Sequence, residues 1–221
     1  SQAAASIEAA YPYQDGRVVL RTPDGDIAIP YTDFGRRPDV DALVDEIKSF
    51  PWEWQPNTVY LGGGTPSRLE PAALARILEA VPGQSAGWAE ATMEAAPGGI
   101  TAELAAAWRA LGITRVSLGV QSFVERELRQ TGRKHTAEIV AHEVGVLRSA
   151  GIVEINLDLI AGLPHQTRES WKESLDWIGR LAPPHVSVYL LEVDEDSRLG
   201  LEIIGQGGRL GAQNVPGDDL M

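Results

Sequence analysis

The chain has 221 residues, 43% of them hydrophobic, with a formal net charge of -12 and a pI near 4.8. That is enough apolar material for one sizeable core, while an acidic surface repels phosphate backbones and argues against a nucleic-acid partner. Cysteine is absent, so no residue here can form a disulfide or hold a metal or iron–sulfur cluster through a thiolate.

Residues 1–25 carry little pattern, although RVVLRTPDGDIAIP can form a hairpin around Asp24 and Gly25. From Asp26 onward strands and helices alternate. DIAIP reads as a short strand, and Val40, Leu43, Val44 and Ile47 follow at the spacing of one helix face. TVYL is the next strand, followed by a helix marked by Leu74, Ile77, Leu78 and Val81, with Pro71 in its first turn. WAEATME leads to a helix carrying Leu104, Ala107, Trp108 and Leu111, capped by Thr101 and stopped by Gly112.

RVSLGV precedes a helix with Ile139, Val140, Val144 and Leu147 that ends at Gly151. IVEINLDLI precedes one with Trp171, Leu175, Ile178 and Leu181 that ends before Pro183, and HVSVYLLEV is the sixth strand. Six such steps predict an α/β fold, a partial (β/α)6 TIM-like barrel of parallel strands with outer helices, over residues 26–200. A doubly wound open sheet is the alternative. Residues 201–221 read as an irregular glycine-rich tail, and the chain, which opens on Ser1, reads as a fragment or a shortened form.

Ligands of parallel α/β folds bind at the carboxyl ends of the strands. There the chain places Gly62-Gly63-Gly64-Thr65, Glu94, Gly119, Gln121 and Ser122, the pair Asn156 and Asp158, and Glu192. Asn156 and Asp158 alternate with apolar neighbours, so both face the lumen. A carboxylate there needs hydrogen bonds or a cation, from a ligand or from Arg133. The set is either a ligand rim or a polar ring satisfied from within. The triple glycine lacks the Lys-Ser or Lys-Thr of a P-loop and the third glycine of a dinucleotide fingerprint. It is a tight turn, or bare backbone that lets a ligand's ammonium group reach a carbonyl.

His135, His142, His165 and His185 lack the spacing of a helical zinc pair. His135 and His142, with Glu138 and Glu143, read as the solvated side of a helix. Trp52 and Trp54 read as packing beneath a loop, with stacking on a flat ring as the alternative. No apolar stretch reaches membrane-spanning length, and SQAAASIEAAYPYQ lacks the charge and apolar core of a signal peptide. A soluble, cytoplasmic protein is expected, of open oligomeric state.

YLGGGTPS, MEAAPGGIT, RVSLGVQSF, GRKHTAE, INLDLIAGLPHQT and VSVYLLEV occur in that order. Together they resemble the radical SAM family of oxygen-independent coproporphyrinogen III oxidases and related heme chaperones. YLLEVDEDSRLG is closer to the chaperone branch. The resemblance implies a partial barrel that holds a [4Fe–4S] cluster and S-adenosylmethionine (SAM) at its strand ends. By that resemblance Gly62 and Gly63, in one stretch with Thr65, meet the methionyl ammonium group. Glu94 and Asp158 hold the ribose, and Gln121 and Arg133 meet the carboxylate.

The family's CxxxCxxC loop has no counterpart. In DIAIPYTDFGRRPD, Thr32 stands where the last cysteine belongs and the rest of the loop is missing, while Tyr31 beside it is an adenine-contact candidate. A threonine hydroxyl is a poor substitute for a soft thiolate. The expected protein is therefore cluster-free and unable to do radical chemistry, with no catalytic residue or metal ligand assigned. It is a binder of SAM, with heme or a porphyrin as further ligands. Two alternatives stand beside it: an altered or incomplete form of an active radical SAM enzyme acting on a tetrapyrrole, and a ligand-free barrel remnant.

Overall fold

The computed structural model describes residues 17–22, 25–30, 39–84, 87–130 and 132–191. Tyr31, Thr32, Glu192 and the tail 201–221 lie outside the described residues. The described residues divide into two compact units, those up to Asn57 together with Arg68–Trp88, and Thr58–Ser67 together with those from Ala89 onward.

In the first unit, β1 (Arg17–Thr22) and β2 (Gly25–Pro30) form a two-stranded antiparallel sheet with Thr22 opposite Gly25. The hairpin forms, but the strand expected to open the parallel barrel pairs with β1 instead. A two-residue connection brings β1 alongside at little loop-closure cost, whereas a parallel pairing needs a long crossover. Helices α1 (Val40–Ser49) and α2 (Pro71–Ala80) follow. Asp39 caps α1 by accepting from the Ala42 N–H, and Pro71 occupies the first turn of α2. The two helices pack together, with an Arg76–Asp41 ion pair at their surface. Trp52 is half-buried and donates to the Ile47 carbonyl at 2.9 Å. Trp54 meets it edge to face but is 60% exposed, so only Trp52 packs as expected.

The second unit is built on a five-stranded sheet in chain order, β3 (Thr58–Leu61), β4 (Glu90–Ala95), β5 (Arg115–Gln121), β6 (Glu154–Ala161) and β7 (His185–Leu190), every neighbouring pair parallel. Its helices are α3 (Ala102–Ala110), the short α4 (Glu125–Gln130), which periodicity did not reveal, α5 (Ala137–Ser149) and α6 (Arg168–Leu181). Thr101, Thr136 and Thr167 cap α3, α5 and α6, each accepting from the N–H three residues on. Gly112 (φ +94) ends α3 in the left-handed region, as its position predicted.

Period-two alternation sorts the strands into two faces. Met93, Val116, Leu118, Val120, Ile155, Leu157 and Leu159 are buried on one face and share the core with Trp108 of α3 and Val140, Val144 and Leu147 of α5. Each such side chain contributes roughly 1.5–3 kcal/mol of hydrophobic stabilisation. The other face is polar. This is the α/β architecture of parallel strands and helices that the sequence predicted. No helix among the described residues is long and apolar enough to cross a membrane.

The solvated helix side is half right. Glu138 and His142 are exposed, but Glu143 is buried and accepts from the backbone N–H groups of Gly98, Gly99 and Ile100 at 2.8–3.0 Å. Glu143 stands three residues after Val140 and four before Leu147, on the helix's buried side, and exposed backbone donors draw it there. His135 is buried too, its Nε2–H donating to the Val120 carbonyl at 3.0 Å.

Candidate functional site

The site grows from the carboxyl ends of β3 to β7. β3 delivers Tyr60 and then the glycine turn. A Cβ on Gly62 would lie 2.8 Å from the Tyr60 ring and 3.1 Å from Glu94 Oε1, so a larger residue would push these side chains out of their present places. Gly63 (φ +83) and Gly64 (φ +63) follow in the left-handed region. The Gly63 N–H donates to Glu94 Oε2 at 3.2 Å, and the Tyr60 hydroxyl donates to Glu94 Oε1 at 2.8 Å. The Tyr60 phenol is pushed up to about 12, first by lost hydration of its hydroxyl and then by the Glu94 bond and the Glu94 and Asp158 charges. It therefore keeps its proton and its donation to Glu94 at neutral pH.

Register aligns Ser117 of β5 with Asn156 of β6, and Asp158 with Ser187 of β7. The Ser117 hydroxyl donates to Asp158 Oδ2 at 2.8 Å and the Asn156 amide to Asp158 Oδ1 at 2.7 Å. Ser187 donates in turn to Asn156 Oδ1 at 3.2 Å. The polar pair thus faces one side as its alternation required. Its partners, however, are Ser117 and Asn156, not Arg133. Each Asp158 oxygen accepts one bond and keeps further lone-pair capacity toward the cavity.

β5 ends irregularly. Its register against β6 shifts between Leu118 and Gln121, and Gln121 takes a left-handed φ of 68°. Such strain costs of the order of 1–3 kcal/mol and is held by its surroundings. A Cβ on Gly119 would lie 3.1 Å from Gln121 Nε2 and 3.7 Å from Arg133 Nη1, so this glycine lets both side chains fold across the strand. Arg133 donates to the Gly119 carbonyl at 3.1 Å. Burial draws its guanidinium below its usual range, yet it stays charged. Burial likewise lowers His135, helped by the Arg133 charge and opposed by the Val120 carbonyl bond.

These strand ends enclose a cavity of about 360 Å3. Thr65, Glu94, Gln121, Arg133 and Asp158 line it; Gly62 and Gly63 stand beside it, and Gly64 takes the lining place. Among the described residues Glu94, Asp158 and Arg133 form no ion pair. Tyr60, Ser117 and Ser187 complete the site although sequence reasoning passed over them. For Tyr60 and Ser117 the available signal was alternation along their own strands, two residues before Gly62 and Gly119.

Against known proteins, a family profile described as the radical SAM superfamily matches residues 17–178. The chain belongs to the radical SAM superfamily. Among similar proteins, the heme chaperone HemW of Lactococcus lactis is 35% identical over 182 residues, 81% of this chain and 46% of that protein. The oxygen-independent coproporphyrinogen III oxidase of Bradyrhizobium diazoefficiens is 38% identical over 153 residues, 67% of this chain and 34% of that protein. The chain thus spans less than half the length of these curated relatives. The structure of coproporphyrinogen III oxidase (HemN) from Escherichia coli, a radical SAM enzyme, aligns with a TM-score of 0.70 and 24% identity over 100% of this chain and 52% of that one. The fold is therefore the partial TIM-like barrel of radical SAM proteins.

Membership implies SAM and a [4Fe–4S] cluster. The cluster does not fit these residues: the chain has no cysteine, and among the described residues no group of three metal-ligating side chains converges.

Proposed function

We propose that this chain is a SAM-binding radical SAM domain of the heme-chaperone and coproporphyrinogen-oxidase lineage that holds SAM without cleaving it. One observation carries the reading: two carboxylates and a guanidinium, none neutralised by another among the described residues, face one cavity in a chain without thiolates. SAM presents a carboxylate, an ammonium, a sulfonium and a ribose diol. Arg133 and the Gln121 amide suit the carboxylate, since a guanidinium fork can give two parallel charge-assisted bonds. Glu94 and Asp158 have acceptor capacity for ribose hydroxyls or the ammonium group, and Thr65 and the open backbone at Gly64 leave room beside them. The sequence supports no thiolate-held cluster to deliver an electron, so no bond-breaking step is assigned to any residue.

Heme or a porphyrin is the second ligand class, supported by the relatives named as heme chaperones and coproporphyrinogen oxidases. Equilibrium dialysis with labelled SAM, run before and after anaerobic incubation with iron and sulfide, tests the proposal. The expected result is one SAM retained per chain in both samples and no visible iron–sulfur absorption. No retention would refute binding; an iron–sulfur chromophore that speeds SAM cleavage would refute the cluster-free state.

A further inference from the structure

Beneath the rim lies a buried carboxylate that the SAM site does not use. Glu127, on α4, is fully buried, and Ser122 and Gln166 are buried beside it. One oxygen, Oε2, accepts from the Ser122 hydroxyl at 2.6 Å and from the Gln166 amide at 3.1 Å. Ser122 belongs to the loop after β5 and also accepts from the Val124 N–H at 3.0 Å. Gln166 belongs to the loop after β6, where its Oε1 accepts from the Gly162 N–H at 2.6 Å and its Nε2 donates to the Ile160 carbonyl at 3.1 Å. A single oxygen therefore joins the two loops in the buried layer, beneath the exposed Arg126–His165 contact at 2.9 Å and beside the Phe123 N–H bond to Ser174 of α6 at 3.2 Å. Three residues lining the cavity hang on this junction. Gln121 precedes Ser122 and holds its left-handed backbone, Ile160 is bonded directly, and Arg133 follows α4 by three residues.

Full burial of a carboxylate is costly, and an apolar side chain of similar size would fill the space more cheaply. Its other oxygen, Oε1, has no partner among the described residues, so the group is not there to satisfy donors evenly. What Glu127 supplies is a directed acceptor between two loops.

We propose that Glu127 is a positioning residue that locks the loop after β5 to the loop after β6 and so fixes Gln121 and Arg133 for the carboxylate of an amino-acid-bearing ligand. The ligand half of this statement rests on the SAM-binding reading; the lock itself does not. The lock depends on an acceptor standing at one point, because both bonds go to one oxygen. A glutamine carbonyl can accept the same two bonds, so Glu127→Gln retains the lock and Glu127→Ala loses it.

The test uses the whole chain in two measurements. Amide hydrogen exchange of the ligand-free protein compares residues 119–124 and 160–166 in the wild type, Glu127→Ala and Glu127→Gln. Calorimetry then compares SAM with 5′-methylthioadenosine, which keeps the nucleoside and lacks the amino-acid part. In Glu127→Ala both segments exchange faster together, SAM binding weakens by about tenfold or more, and 5′-methylthioadenosine binding is unchanged; Glu127→Gln restores wild-type behaviour in both. Unchanged exchange, faster exchange in one segment only, or equal weakening of both ligands overturns the proposal. If Glu127→Ala does not fold, Gln166→Met cuts the same junction from the other side and must give the same pattern. If the wild type binds neither ligand, the SAM reading fails on its own, and the exchange data still decide the lock.

Discussion

The polar face of the sheet has two ends that treat charge in opposite ways. At the amino ends of the strands, Arg115 lies 3.5 Å from Glu90 and 2.8 Å from His185 Nδ1, and Thr92 donates to Glu90 at 2.9 Å. The charges there satisfy one another. At the carboxyl ends, Glu94 and Asp158 accept from neutral donors and Arg133 donates to a carbonyl, with no ion pair among the described residues. Both ends carry acids and a guanidinium on the same face, so residue type alone does not mark a site. What marks it is charge that no ion pair neutralises and that faces an open cavity, with its attraction left over for something else. Self-satisfied charges should govern stability, and the reserved ones should govern binding.

The largest stability effect should come from a satisfied charge outside the rim. Glu143→Ala strips three backbone N–H groups of their acceptor and should cost about 3 kcal/mol or more in urea unfolding. A loss below about 1 kcal/mol would break the division drawn above. Next comes pH. Burial holds the folded-state pKa of His135 below its ordinary 6.5. Above 6.5 both states leave it neutral; as pH falls below 6.5 the unfolded chain takes up a proton that the folded chain resists. Stability therefore falls on acidification, and His135→Gln should flatten that slope in thermal melts between neutral and mildly acidic pH.

A smaller effect is expected at the amino-end cluster. Arg115→Met should change stability by less than about 1 kcal/mol, because the pair is partly exposed, and should leave SAM affinity untouched in a parallel titration. The smallest effect is at Tyr60. Its pKa is raised from 10.0 to about 12, so its contribution is whole below pH 10 and is lost as pH climbs from 10 towards 12. A phenolate absorbance titration, with Tyr60→Phe as reference, should show one tyrosine ionising later than the rest.

The sequence carried the alternation of the second unit well, because helix faces such as Val140, Val144 and Leu147 and caps such as Thr101 are local signals. It carried pairings poorly. DIAIP was read correctly as a strand and its hairpin with RVVL was anticipated, yet the repeat also made it the first parallel strand, a place it does not take. Glu143 was sent to solvent on polarity, although its spacing from Val140 placed it inside. At the site, the strand-end rule picked out Thr65, Glu94, Gln121 and Asp158, and the family resemblance added Arg133; all five line one cavity. It could not show that Ser117 donates to Asp158, because that depends on the register between β5 and β6.

The measurement that bears most directly on the central claim is calorimetric titration of SAM into the aerobically purified wild-type chain beside Arg133→Ala. If the rim keeps its charge in reserve for SAM, the wild type binds at a single site and Arg133→Ala weakens binding about tenfold or more at unchanged fold. No heat from the wild type at millimolar SAM, or equal affinity in the two proteins, would contradict it.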